Sequence, residues 1–519
     1  MQLTLAGPGA GKTTDMIAQI LEKIEELPVN RDMVIITYTN TSADDITRKL
    51  NKKIIVPHNV FIGTIHSFLL HYFIIPHAYI LGYATSSISV VDKLDGTGME
   101  WIDRWVDNNV EDKKKDYIKR AMVVSNTKKR IEAAAKKGVY TYDCIIKISK
   151  ELSEKKEVVD CVTNKISFLF VDEYQDISKY AHEIIKNIEK RKKTTIAVVG
   201  DPDQSIYRFR YGESQIGEKA PKKEKQPIRE LMNLESNKCS VRKLLVNYRS
   251  SYEIVRFNNR YGTLDDQIPD RGPICKIMFF QTNNVMEMYD WMREQGGLYK
   301  CNDYLVLAKN QKDADRLAGL RKETAESGST RIKLKTIIDY MVANSGISYT
   351  EFVDRYHFSR YDLKRIAAHV RHEIEAGNIC QGEKNKDINT KIQRIIKDLY
   401  QVKVQFCDSV LNEGEKREKY NYLCDLFSRE NANSTDIRFM TIHKSKGIEA
   451  DCVLVLASSE SQLFKWLEMN GEDMKSETDE DYRLGYVAFT RARKVLILCC
   501  LKEIDIAKID PEIFSIIHS

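Results

Sequence analysis

Residues 3–14 read Leu3-Thr4-Leu5-Ala6-Gly7-Pro8-Gly9-Ala10-Gly11-Lys12-Thr13-Thr14: an apolar run, glycine at every second position, then Gly-Lys-Thr opening an amphipathic stretch over 15–26. This is the setting of a phosphate-binding loop between a strand and a helix. The glycines let the backbone curl until successive N–H groups face one point. The N-terminus of the following helix adds a partial positive charge. Lys12 is then placed to hold the β- and γ-phosphates of ATP, and the Thr13 hydroxyl to ligate Mg²⁺. Ala6 stands where the strict pattern has glycine, a mild departure.

Working outward from that loop, short runs rich in Val, Ile, Leu and Phe recur at 34–39, 60–63, 166–171 and 195–200. Runs apolar on every residue are the mark of parallel strands covered on both faces. A second set follows at 274–280, 304–308, 437–442, 452–457 and 495–500, so two α/β sheets are expected. Two segments break the rhythm. Residues 71–150, with a charge run at 111–116, read as mainly helical with no convincing parallel strand. Residues 312–434 read the same way, with amphipathic helices expected over 349–366 and 391–405. The first lobe is therefore expected over 1–70 and 151–240 around an insertion at 71–150. The second is expected over 241–311 and 435–519 around an insertion at 312–434. The stretch 218–226 is polar, basic and expected to be a solvated loop.

Bulk properties narrow the class. At 519 residues, 42% apolar and 30% charged, the chain suits several ordinary globular cores rather than disorder. The formal charge of +6 is too small to argue for nucleic acid by itself. The 11 cysteines include no C-x-x-C pair and no spaced His/Cys quartet, so neither a zinc site nor a disulfide scaffold is expected. With no signal-peptide pattern and no long apolar run, a soluble cytoplasmic protein with no membrane partner is expected.

The run 166–171 delivers Asp172-Glu173-Tyr174-Gln175-Asp176 at a strand's C-terminal end, where α/β sites sit. Asp172 suits a metal held largely through water, because Mg²⁺ sheds its waters reluctantly. Glu173 suits the polarisation of an attacking water. Alone, such a pair is more often solvated or a helix cap; after a phosphate loop it reads as the second element of a Mg-NTPase.

The next strand ends in Gly200-Asp201-Pro202-Asp203-Gln204-Ser205-Ile206-Tyr207-Arg208-Phe209-Arg210, which resembles motif III of superfamily 1 helicases of the UvrD/Rep/PcrA family. Further segments resemble that family's motifs in the same order. Thr37-Tyr38-Thr39-Asn40 resembles motif Ia, and Gly63-Thr64-Ile65-His66-Ser67-Phe68 motif Ib. Leu244-Leu245-Val246-Asn247-Tyr248-Arg249-Ser250 resembles motif IV, Met440-Thr441-Ile442-His443-Lys444-Ser445-Lys446-Gly447-Ile448-Glu449 motif V, and Tyr486-Val487-Ala488-Phe489-Thr490-Arg491-Ala492-Arg493 motif VI. The resemblance implies two RecA-like P-loop domains with parallel sheets, each carrying a mainly helical insertion. It implies an ATP-dependent DNA translocase or helicase, with 3′→5′ polarity, acting on single-stranded DNA and on single-strand/duplex junctions.

It also implies residue roles. Gln204 would sense the γ-phosphate, Tyr248 would stack on the base, Glu449 would contact the sugar, and Arg249 and Arg491 would act as arginine fingers. His443 and Lys446 would line the path between ATP and DNA. Positions matching the family's DNA-contacting motifs are Tyr38, Thr39, Asn40, Thr64, His66, Ser67, Phe68, Tyr207, Phe209 and Arg210. Phe68 and Tyr207 read equally well as core. Phe209, where relatives commonly carry Trp, is a smaller stacking platform.

Three departures qualify the resemblance. Only five residues precede Ala6, so the upstream glutamine segment with which relatives read the adenine edge is expected to be absent. The insertions look short, which suggests reduced accessory subdomains, and no room is expected after residue 500 for a nuclease domain. A second reading is therefore carried alongside the first: a DNA-sensing ATPase that regulates a partner nuclease or a repair, replication or defence complex. A P-loop kinase of small substrates would leave Arg249 and Arg491 without a purpose.

Overall fold

The computed structural model describes residues 1–91, 94, 122, 126–207, 226–234, 238–282, 284–314, 317, 329–332, 334–347, 349–356, 358, 360–380, 383, 385–406, 429–431, 437–476 and 479–518. The expectations for Phe209, Arg210, the charge run 111–116 and the basic stretch 218–225 lie outside those residues. The chain divides into two compact units, Met1–Gly319 with Ile437–Ser519, and Leu320–Asp436.

The first unit holds two six-stranded sheets. The first is built from β1 (Gln2–Ala6), β2 (Asp32–Thr37), β3 (Val60–Thr64), β4 (Ile166–Val171), β5 (Thr195–Gly200) and β6 (Ser240–Leu244), in the order β3-β2-β4-β5-β1-β6. The second is built from β7 (Ile277–Gln281), β8 (Tyr304–Ala308), β9 (Ile437–Thr441), β10 (Ala450–Ala457), β11 (Ala492–Cys500) and β12 (Phe514–His518), in the order β9-β8-β10-β11-β7-β12. Every pairing within both sheets is parallel. The expected fold class is the observed one.

Alternation along the strands sends side chains to two cores per sheet. Leu3, Leu5, Val34, Ile36, Leu169, Val171, Ile196 and Val198 join one face of the first sheet. Met33, Ile35, Phe168, Phe170 and Val199 join the other. In the second sheet Phe279, Leu305, Leu307, Val453, Val455 and Leu498 share one core, and Met278, Phe280, Val306, Leu454, Ile497 and Cys499 the opposite one. Each such side chain stabilises the fold by about 1.5–3 kcal/mol. Helices pack over these faces, among them α1 (Lys12–Ile24), α2 (Asn40–Asn51), α3 (Tyr142–Glu154) and α4 (Asp481–Phe489).

Two edge strands, β6 and β12, were not expected, nor was a short pair in the first insertion. The first sheet runs on to Leu244, past the boundary at 240, because Ser240–Leu244 pairs with β1. Its sequence, SVRKL, is edge-like: Ser240, Val241 and Lys243 are exposed and no residue is fully buried. The insertion after residue 70 contains a short parallel pair, Ser89–Val91 with Val139–Thr141, where no parallel strand was expected.

The second unit, Leu320–Asp436, has its own core. Ile337, Tyr340, Phe352, Leu363, Ile366, Val370, Ile388, Ile392 and Ile396 are buried together, from helices Leu334–Ser345, Tyr349–Tyr356, Arg360–Glu375 and Asn385–Tyr400. The helix expected over 349–366 is two helices, and Phe358, between them, drops into this core. The one expected over 391–405 begins six residues earlier, in a polar first turn, and ends as Gln401 turns left-handed at φ 57°.

Candidate active site

β1 ends at Ala6, in mid-sheet between β5 and β6, and the chain enters the loop that leads to α1. Gly9 and Gly11 take φ of 73° and 77°, a region that costs other residues dearly. No side chain caps α1 at Gly11. The N–H groups of its first turn thus have the geometry of an anion cradle. Lys12 is half-buried, and its Nζ donates to the carbonyls of Ala6 (3.1 Å) and Gly7 (3.2 Å). Burial pulls its pKa below the usual lysine range, against the pull of Asp201, Glu173 and Asp172. A cation held among carbonyls and carboxylates at this loop suits a phosphate chain.

β4 carries Asp172 to the same end of the sheet. Its N–H donates to Ile36 O (2.8 Å), and its Oδ1 accepts the N–H of Glu173 (2.9 Å). Burial raises the Asp172 carboxyl to about 7. Glu173 sits at φ 51°, ψ 44°, a left-handed conformation that a non-glycine residue keeps only where its surroundings impose it. Burial pushes its carboxyl up, but Lys446, Lys12 and Gln175 together pull it below its usual range. It is thus a carboxylate at neutral pH. Among the described residues no cluster of three or more His, Cys, Asp or Glu forms a protein-only metal cage. One buried carboxylate at the phosphate-loop end of the sheet, close enough to Lys12 to act on its charge, fits Mg²⁺ held largely by nucleotide and water.

Gln175 was not singled out in the sequence, although it lies two residues past Glu173. Its Nε2 donates to Glu173 Oε2 (2.5 Å), and its Oε1 accepts the N–H of Asp201 (3.0 Å). It therefore links the end of β4 to the end of β5.

The second sheet reaches this centre through its own residues. Arg491 is 2% exposed, and its Nη2 donates to Gln204 Oε1 (2.9 Å) while Gln204 Nε2 donates to Asp201 (2.7 Å). Burial, with Arg249 nearby, pulls the Arg491 guanidinium below the ordinary arginine range. Arg249 stands against the phosphate loop: a Cβ on Gly9 would lie 2.7 Å from its Cβ. Its guanidinium pairs with Glu449, which also lies 3.5 Å from Arg493. Tyr248 donates its N–H to Gly9 O (3.0 Å) and exposes 55% of its surface, the ring lying beside Gly11. Glu449, expected at the sugar, is committed to two arginines.

A second cluster lies on the far side of Gln204. Tyr38 and Tyr207 stack at 4.8 Å and 15°, and the Tyr207 hydroxyl donates to His443 O (2.8 Å). Lys446 lies 5.3 Å over the Tyr207 ring, donates to Gln204 O (2.8 Å), and is paired with Asp176. Lys446 is thus buried between sheets rather than presented to solvent. Thr39 and Thr64 act as helix N-caps, their Oγ1 accepting the N–H of Ser42 (3.1 Å) and Ser67 (3.4 Å). Asn40 opens α2 and is exposed. His66 meets Tyr142 edge-on at 4.8 Å, and burial lowers its pKa to about 4. Tyr142, 42% exposed at the start of α3, was missed because it lies in the expected insertion, far from the motif it touches. Phe68 is corrected: it is fully buried, against Tyr72 and Phe73, and is core rather than a nucleic-acid contact.

No helix among the described residues is long and apolar enough to cross a membrane. A family model described as an AAA domain matches residues 1–210. The chain is 21% identical over 508 residues to the Gabija protein GajB of Bacillus cereus (strain VD045), covering 96% of this chain and 92% of that one. It is 23% identical over 605 residues to the ATP-dependent DNA helicase PcrA of Staphylococcus aureus (strain Mu50 / ATCC 700699), covering 96% and 80%. To the putative ATP-dependent DNA helicase YjcD of Bacillus subtilis (strain 168) it is 22% identical over 604 residues, covering 96% and 76%.

Proposed function

We propose, since this chain belongs to the UvrD/PcrA-like superfamily 1 helicases, that it is an ATP-driven motor that tracks along single-stranded DNA, 3′→5′, and opens duplex ahead of it. The observation that carries the reading is the composite site. Arg491 from the second sheet holds Gln204 of the first, and Arg249 abuts Gly9 of the phosphate loop.

In this mechanism the loop N–H groups and Lys12 bind the β- and γ-phosphates, and Tyr248 offers its exposed ring to the base. Thr13 and Asp172 would hold Mg²⁺, which when bound neutralises charge on the β- and γ-oxygens. Glu173, kept ionised by Lys446 and Lys12 and oriented by Gln175, accepts a proton from the attacking water. Arg249 and Arg491 stabilise charge on the transferring phosphoryl group, an effect calibrated at about 10³–10⁵ in rate in other phosphoryl-transfer enzymes. Gln204 touches Arg491 with its amide oxygen, and its backbone carbonyl accepts from Lys446. Loss of the γ-phosphate therefore reaches Lys446, Tyr207 and Tyr38 through direct contacts. Base stacking is worth about 1–3 kcal/mol per base, comparable with the roughly 1.4 kcal/mol that opens one duplex step. Exchanging one stack for the next is thus large enough to move the chain along a strand.

The test is ATP hydrolysis with and without single-stranded DNA, followed by strand displacement on duplexes with 3′ or 5′ tails. Stimulation by DNA that Lys12→Ala abolishes is expected, with displacement from one tail polarity. Hydrolysis indifferent to DNA would overturn the motor. A second reading, a DNA-sensing ATPase that controls a partner nuclease, is favoured by the length match: the chain spans 92% of the Gabija protein but 80% of the PcrA helicase. It predicts DNA-stimulated hydrolysis without displacement by the chain alone.

A further inference from the structure

Buried amide donors are nearly always paired, and an unpaired one costs about 1–3 kcal/mol. Gln267 is an exception placed against the phosphate loop. Its side chain lies across Gly7, where an added Cβ would stand 2.8 Å from both Cδ and Nε2 and 3.1 Å from Oε1. Gly7 is not among the glycines with positive φ, so its backbone does not demand glycine. What the missing side chain allows is the approach of Gln267.

The neighbours fix which end of the amide points where. Asn247 Oδ1 accepts the N–H groups of Arg249 (2.9 Å) and Ser250 (3.0 Å). The other end of Asn247, Nδ2, must then donate, and it does so to Pro8 O (2.8 Å) and Gln267 Oε1 (3.0 Å). Reversing the Gln267 amide would set two donors face to face. Nε2 is therefore the free end: the residue is 9% exposed and Nε2 has no hydrogen-bond partner.

The same loop residue has a carbonyl whose partner is due to leave. Gly7 O accepts from Lys12 Nζ (3.2 Å) and, at 3.4 Å, from the N–H of Ala10. Once Lys12 turns to a nucleotide's phosphates, that carbonyl keeps only the longer bond. We propose that Gln267 is a positioning residue that takes over the Gly7 carbonyl when Lys12 releases it. The Lys12 Nζ···O bond breaks, a Gln267 Nε2···O bond forms, and a donor unpaired in the resting loop becomes paired in the loaded one. The inference rests on the nucleotide-site reading above. Gln267 thereby favours nucleotide binding without touching the nucleotide.

Gln267→Leu removes the donor and retains bulk. The variant loses the bond from Asn247 but also removes the orphan, so melting without nucleotide is expected to stay at or above wild type. The rise in melting temperature with Mg²⁺ and a non-hydrolysable ATP analogue is expected to shrink. KM for ATP is expected to rise about tenfold, equivalent to about 1.4 kcal/mol, with kcat within about twofold. Should Gln267→Leu not fold, Gln267→Met, unbranched and of similar length, carries the same expectation. A variant that melts lower without nucleotide, yet keeps the wild-type KM and analogue-induced shift, would show a merely structural glutamine and overturn the proposal. A wild-type chain that shows no analogue-induced shift overturns the nucleotide-site reading as well, an outcome distinct from wild type and variant shifting equally.

Discussion

Arg491 is a buried cation whose hydrogen-bond partners are the Gln204 amide, the Thr490 hydroxyl and the Val487 carbonyl, all uncharged. A guanidinium in that setting gains most from an arriving anion. Arg491→Ala is accordingly expected to cut hydrolysis about 10³-fold. Glu173→Gln, which keeps the shape and loses the base, is expected to cut it about 10²–10⁴-fold while nucleotide binding persists. Steady-state hydrolysis beside equilibrium nucleotide binding checks both, and a Glu173→Gln enzyme of full rate would remove Glu173 as base. His66 gives a second test at this scale, through pH. Its folded pKa, about 4, lies below the unfolded value of about 6.5. Its contribution is complete above pH 6.5 and is lost as pH falls from there towards 4, where the unfolded chain takes the proton first. Melting temperature is expected to fall over that window, and His66→Phe to flatten the fall by one proton's slope. An unchanged slope in the variant would mean that His66 titrates normally.

At the scale of elements, α2 begins at Asn40 with Thr39 accepting the N–H of Ser42, and Thr37 Oγ1 donates to Thr39 O (2.9 Å). The threonine expected to touch DNA thus first fixes a helix N-terminus, which can then offer N–H groups to a phosphate backbone. Thr39→Ala is expected to cost about 1 kcal/mol and Thr39→Ser almost nothing. Denaturant unfolding measures the first effect, and an Ala variant as stable as wild type would deny the cap its weight. The central strands were legible because both faces of a parallel strand are buried: ISFLFV in β4, apolar but for Ser167, and YLVLA in β8 are buried at every position. The edge strands β6 and β12 were not, since Ser240, Arg242 and Lys243 interrupt one and Ser515 and His518 the other, so neither reads as an apolar run. The acidic pentapeptide 172–176 was readable, but the amides that hold it were not. Gln175 is close in sequence yet acts through Asp201, and Gln267 is 260 residues from Gly7 in the numbering. Neither residue type nor local spacing signals such contacts.

At the scale of the molecule, the two sheets of the first unit are tied at several points around Gln204. Arg491 Nη2 bonds its side chain, Lys446 Nζ its carbonyl, and Arg483 Nε donates to the adjacent Ser205 O (2.8 Å). Lys446 is central, because it also pairs with Asp176 and lies over Tyr207, whose ring stacks on Tyr38. A change at the aromatic pair therefore reaches the carboxylates through one side chain. Lys446→Met cuts this link without touching the phosphate loop; because it also removes a cation that holds Glu173 ionised, stimulation is read as the ratio of hydrolysis with DNA to hydrolysis without it. Burial already raises Asp176 to about 7. Without its cation the carboxyl becomes neutral rather than remaining a buried unpaired charge, which limits the damage to folding. Couplings between sites typically span about 5–150-fold. The variant is expected to bind nucleotide within a few-fold of wild type and to lose at least about fivefold of its stimulation by single-stranded DNA. If stimulation survives intact, the signal does not pass through Lys446, and the aromatic pair must communicate with Glu173 by another route.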